Sequence, residues 1–217
     1  MKRLVLLIFI LCPFAVVFGK EYADSAIYQG LSIKVDIGNT IFEMTRSNAD
    51  IQSYEMAANV RLKNRFFPTL EGGFVTAKVQ SEGGNYDGNG GFLRAGLDIY
   101  PLKDLPDASH ILVGLRYANA MQHYHLNHLT NHNTYWEPEH RLNLPNTFRF
   151  DCWFEIVASL NVQVYKNFYM GWCVRIKILF TEDNATGAGY VPTYIPGFGY
   201  RSGGTNYGFN YYVGVKI

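Results

Sequence analysis

In the stretch NFYMGWCVRIKILF, Asn167 to Phe180, every second residue from Phe168 onward is large and apolar: Phe168, Met170, Trp172, Val174, Ile176, Ile178 and Phe180. Gly171, Cys173, Arg175 and Lys177 stand between them. A period of two is a β-strand with two unlike faces. Which of those faces turns inward, and whether the other meets water or lipid, decides the fold.

The composition points the same way. The chain has 217 residues, of which 16% are aromatic, with 21 Gly and 16 Tyr. That is the size of one domain, and aromatic enrichment punctuated by glycine favours an all-β fold. At the N-terminus, MKR is followed by the apolar run LVLLIFILCPFAVVF and then Gly19. This pattern reads as a secretory signal peptide over residues 1–19, leaving residues 20–217 as a single barrel domain. Loss of Lys2 and Arg3 leaves 17 basic and 18 acidic residues, a net charge of −1, which gives no electrostatic footprint for nucleic acid. Cys152 and Cys173 fall on opposite faces of different strands and are expected as free thiols. No apolar run after the signal is long enough for a membrane helix, so a membrane-spanning form must be a closed barrel.

Seven more segments share the period: GLSIKVDIG, SYEMAANVRL, FPTLEGGFVTA, GFLRAGLDIY, HILVGLRYA, CWFEIVASLNVQV and NYGFNYYVGVKI. The connections KNRFF, PLKDLPDAS and YKN are short, and those alternating with them are long, the fifth running from Asn119 to Arg149. Short turns at one end and long loops at the other are the pattern of outer-membrane barrels. An even strand count puts both termini on the short-turn side, which would be the periplasm.

In a membrane barrel the charges indicate which face would meet lipid. One side of the strands carries Lys34, Arg61, Arg94, Arg116, Arg175, Lys177 and Lys216, with Asp36, Glu55, Glu71, Asp98 and Glu155. At ~2–4 kcal/mol for each cation at the bilayer midplane, those faces cannot look at acyl chains. They also bear Gly73, Gly96, Gly114, Gly171, Gly208 and Gly214, which suit a narrow lumen crossed by long ionic side chains. Aromatic residues cluster at the segment ends, as interfacial girdles do. The alternative is a secreted, lipocalin-like soluble barrel that turns the apolar faces inward around an apolar ligand.

With the strands laid out, the segments GFLRAGLDIYPL, ILVGLRYA, WFEIVASLNVQVYKNFYMGWCVRIKILF, YIPGFGY and NYGFNYYVGVKI resemble a family of small Gram-negative outer-membrane β-barrel proteins known only as a domain of unknown function. The resemblance implies the fold and the location. It implies no activity, because the family has no assigned catalytic or ligand residues.

Three places are candidates for chemistry. Glu71, Arg94, Arg116, Glu155 and Arg175 fall mid-strand on the charged faces and are expected to meet across the lumen. They would serve either as an ion path or as a salt-bridge plug, and the narrowness of eight strands favours the plug. His123, His125 and His128, in HYHLNHLTNH, are the candidate metal ligands, with His132 and His140 able to complete a Zn or Cu site. An outer-leaflet lipid-modifying enzyme would need a Ser–His pair oriented by an acid such as Glu137, Glu139 or Asp151; Ser47, Ser53, Ser81 and Ser202 sit in no nucleophile motif. GGNYDGNGG reads as a hairpin loop, and YVPTYIPGFGYRSGG as an ordered surface loop able to bind a partner.

The sequence therefore predicts an eight-stranded antiparallel up-and-down transmembrane β-barrel, porin-like in build, with an ion-paired, plugged lumen. Its expected role is recognition through surface loops or support of envelope integrity. It is expected to be a monomer in outer-membrane lipid, without cofactor or enzymatic activity, with a possible extracellular partner at the long loops.

Overall fold

The computed structural model describes residues 28–38, 49–62, 65–81, 84–101, 109–130, 141–181, 191–201 and 203–217. The expected signal peptide lies outside them. Eight long strands form the wall: β1 (Tyr28–Asp36), β2 (Ala49–Leu62), β3 (Phe66–Ser81), β4 (Gly84–Ile99), β5 (Ser109–Thr130), β6 (Arg141–Tyr165), β7 (Phe168–Leu179) and, after two short strands, β10 (Thr205–Lys216). Each pairs antiparallel with its neighbour in sequence, and β1 pairs with β10 to close the barrel. β8 (Tyr194–Ile195) and β9 (Gly199–Tyr200) form a separate small hairpin.

Every strand turns the face predicted from its sequence. Leu115 on β5, Met56 on β2, Phe74 on β3, Ile156 on β6 and Phe209 on β10 are exposed on the outside, whereas Glu55, Glu71, Arg94, Arg116, Glu155 and Arg175 are buried within. Cys152 sits on the outer face and Cys173 on the inner, and both are free thiols. A soluble barrel with an apolar cavity would have these faces reversed. The fold is a transmembrane barrel.

The apolar band has a visible upper edge. Across β3 to β6 the outward row Phe74, Gly91, Met121 and Phe150 is followed, one step further from the short turns, by Thr76, Asn89, His123 and Phe148. The next row is Lys78, Asp87 and His125. From Ile111 to Met121, at ~3.4 Å per residue and a strand tilt of ~40°, the lipid-facing stretch of β5 stands roughly 25 Å tall. Beyond it, β3 to β6 continue as a polar-faced wall.

That wall corrects the expected loops. GGNYDGNGG is not a loop, because β4 begins at Gly84 and pairs residue by residue with β3 and β5. Nor is Asn119 to Arg149 a long connection, since β5 runs to Thr130 and β6 starts at Arg141. The glycines mislead a reader of sequence because their role is steric. A Cβ on Gly88 would strike the Tyr86 ring at 2.7 Å (Cζ), and one on Gly90 would strike Gln122 Cβ at 2.7 Å. Both side chains lie flat across a glycine on the wall's inner face.

YVPTYIPGFGYRSGG is likewise not a surface loop. Tyr194, Ile195 and Phe198 are buried inside the outer half of the barrel, packed with Ile51, Val75, Tyr86, Phe92, Tyr124 and Trp153. The Phe198 and Trp153 rings meet edge to face, centroids 5.7 Å apart. The segment forms a cork whose side chains complete a second, hydrophobic core above the ionic one.

Candidate functional site: the ionic lumen and its cork

The interior of an eight-stranded barrel is just wide enough for side chains to fill, and here the filling is ionic at mid-height. Glu71 on β3 accepts hydrogen bonds from three arginines: Arg175 Nη1 at 2.7 Å, Arg94 Nη1 at 3.2 Å and Arg116 Nε at 3.2 Å. Arg175 Nη1 also reaches Glu155 Oε2 at 2.8 Å, and Arg94 Nε lies 3.0 Å from Glu155 Oε1. The five residues picked out in sequence therefore form one connected cluster.

Other inward groups complete it. Glu55 accepts from Arg94 Nη1 at 2.7 Å and from the Tyr212 hydroxyl at 2.6 Å. Asp98 holds Arg116 in a two-pronged pair at 2.5 and 2.7 Å, a geometry that fixes the guanidinium plane as well as its charge. Asn210 accepts from Arg175 Nε at 2.6 Å and donates to Asp36 at 2.8 Å. The Trp153 indole donates to Glu155 at 2.7 Å. Glu55 and Asp98 carry lumen parity in the sequence and were findable. Tyr212 and Asn210 share that parity, but neutral side chains give no charge signal.

Inward glycines make the cluster possible. A Cβ on Gly96 would meet Arg116 Cδ at 2.8 Å, and one on Gly208 would meet Lys177 Cε at 2.8 Å. A Cβ on Gly114 would overlap Asp98 Oδ1. Arg116, Lys177 and Asp98 thus each lie across a glycine on the adjoining strand.

The cork is tied to this network through its backbone. Arg94 Nη2 donates to the carbonyl of Gly197 at 2.8 Å, and Lys177 Nζ donates to the same carbonyl at 2.7 Å and to that of Phe198 at 3.1 Å. Gly197 has φ +75° and its Cβ position is filled by the Phe92 ring, so the turn that aims these carbonyls inward suits glycine alone. Higher up, the Tyr86 hydroxyl donates to the Tyr194 carbonyl at 2.8 Å. Burial pushes this phenol above its ordinary pKa, which keeps it a neutral donor. Asp151 is held by Arg149 at 2.8 Å and Arg201 at 3.7 Å.

The remaining candidates are less concentrated. His123 and His125 project from the outer face of β5, above the apolar band. The His123 ring lies 5.1 Å from that of Phe148, and His125 Nε2 is 4.0 Å from Asp87 Oδ2. His128 belongs to β5 but its side chain lies outside the described residues, as do His132 and His140. Among the described residues no group of three His, Cys, Asp or Glu is placed to hold a metal ion. Ser53 is buried on the inner face of β2. Asp151 is turned to arginines rather than to a histidine. Ser47, Glu137, Glu139, Ser202 and the side chain of Ser81 lie outside the described residues.

Fold and interior together define an eight-stranded transmembrane β-barrel. The chain belongs to the family described as "Domain of unknown function (DUF6048)", whose model matches residues 3–217. Among solved structures it is similar to Neisserial surface protein A (NspA), at 8% identity over 88% of this chain and 97% of that one, with a TM-score of 0.42. No curated protein matches.

Proposed function

We propose that this chain is an integral outer-membrane protein whose lumen is sealed. In this reading it acts through its surfaces, by recognition at the tall outer end or by supporting the envelope, and neither transports solutes nor catalyses a reaction. The chain is exported with residues 1–19 removed, sits as a monomer in outer-membrane lipid with both termini in the periplasm, and uses no cofactor. The observation that carries this reading is the double tie of Arg94, to Glu55 at 2.7 Å and to the Gly197 carbonyl at 2.8 Å. It joins the ionic core to an apolar cork seated directly above it.

Planar-bilayer recording on the purified barrel tests the proposal. A silent membrane is expected. Steady, ion-selective current steps that change with Arg175→Ala would overturn it and restore the ion-path reading.

A further inference from the structure

The two ends of the lumen differ. The outer end is filled by the apolar cork, and toward the end bearing the short turns lies a small mouth rich in cations. Lys34, Arg61 and Lys216 line it, together with Ser32, Asn59 and Asn161. Among the described residues, neither Asp nor Glu lines this mouth. Two described carboxylates, Asp98 and Glu71, border a second small cavity one layer deeper, which shares Lys34, Asn59 and Asn161 with the mouth. Both are occupied by arginines, Asp98 by Arg116 and Glu71 by Arg116, Arg94 and Arg175.

The cations are held in place by built features. Lys34 donates to Asn161 Oδ1 at 2.8 Å, and its stem lies across Gly214, where a Cβ would meet Lys34 Cγ at 2.8 Å. The Lys216 stem crosses Gly30, whose φ of +137° favours glycine and whose Cβ would meet Lys216 Cε at 3.1 Å. Phe67 and Leu112, both buried, wall the side and lower the local dielectric, which strengthens any charge pairing there. The cavity measures about 30 Å³, on a scale where one water needs about 10–15 Å³. It suits one charged group, not a drug-sized ligand.

We propose that this mouth is an oxyanion site, taking a single carboxylate or phosphate group between Lys34 and Lys216, with the side-chain amides of Asn59 and Asn161 as neutral donors. The group arrives either as a free ion or as the charged end of a larger periplasmic molecule. The proposal goes beyond the sealed-lumen reading and rests on it only for the compartment the mouth faces.

The test is nuclear magnetic resonance on the full mature chain refolded in micelles, where both ends are accessible. Inorganic phosphate, acetate and a short acetylated peptide with a free C-terminal carboxylate are titrated against a sodium chloride control. Saturable shifts of the Asn59 and Asn161 side-chain amides are expected, with affinity weakened at least fivefold in Lys216→Gln and further in Lys34→Gln. Lys216 lies at the end of β10, so its substitution leaves the barrel folded if Lys34→Gln does not. Peptide binding tighter than acetate assigns the tethered source, and equal or tighter phosphate binding assigns the free ion. Shifts that follow ionic strength alone, or that are unchanged in Lys216→Gln, would overturn the site. So would shifts seen only after Glu21→Gln/Asp24→Asn, since the mouth would then already hold the chain's own acids. None of these outcomes bears on bilayer conductance, so this inference and the sealed lumen fail separately.

Discussion

Arg94 on β4 and Gly197 in the cork are joined by a 2.8 Å hydrogen bond spanning 103 positions of sequence. The guanidinium that neutralises Glu55 and Glu71 from within the barrel thus also fastens the segment that closes it. Removing such a buried partner takes from Glu55 its closest counter-charge, a loss of ~3–5 kcal/mol for a broken buried pair. Arg94→Met should lower the midpoint of urea unfolding in detergent accordingly and raise the proteolytic sensitivity of residues 191–201. Arg65→Met, an exposed position in the turn before β3, should change neither.

The cork itself makes a second test. Replacing residues 191–201 by a short Gly-Ser linker removes Ile195 and Phe198 from the outer core and the carbonyl acceptors from Arg94 and Lys177. The shortened barrel should still shift on unboiled gels, and it should show flickering conductance in planar bilayers where the intact chain is silent.

Glycine positions separate steric need from chance. A Cβ on Gly114 lands on Asp98, which is already committed to Arg116. A Cβ on Gly72, on the outer face, meets only Leu93 Cδ1 and the Phe92 carbonyl at 3.5 Å. Gly114→Ala should cost ~1–3 kcal/mol as overpacking, and Gly72→Ala should stay within ~0.5 kcal/mol. Equilibrium unfolding of the two variants compares them.

The outer face gives a depth-dependent prediction. Leu115 is 63% exposed in the middle of the apolar band, whereas His125 stands in the polar row above it. An arginine costs ~2–4 kcal/mol near the midplane and ~0–1 near the interface. Leu115→Arg should therefore weaken folding into phospholipid vesicles far more than His125→Arg, a gap that disappears if the outer face meets water.

Strand number, facing and the mid-lumen charges were legible because lipid and a narrow lumen both enforce strict alternation. Arg175 and Trp172 could hardly exchange sides. The height of β3 to β6 was not legible. Above the bilayer the outer face is wet, so Asn85, Asp87 and Asn89 alternate with Tyr86, Gly88 and Gly90 in a pattern that reads as a turn. The cork was missed for a related reason. Ile195 and Phe198 are buried by folding back into the barrel, a tertiary event to which neither helix nor strand periodicity responds; the excess of Tyr, Ile and Phe among its prolines and glycines was the available signal.

The central claim is that apolar side chains face acyl chains while ionic ones are enclosed, and two tryptophans measure it directly. Trp172 is 40% exposed on the outer face, and Trp153 is wholly buried between Glu155 and Phe198. Single-tryptophan variants, with Trp136 and one of the pair changed to Phe, would be refolded into vesicles whose acyl chains carry bromine. Strong quenching of Trp172 with little quenching of Trp153 is the predicted result. Strong quenching of Trp153, or none of Trp172, would contradict the account.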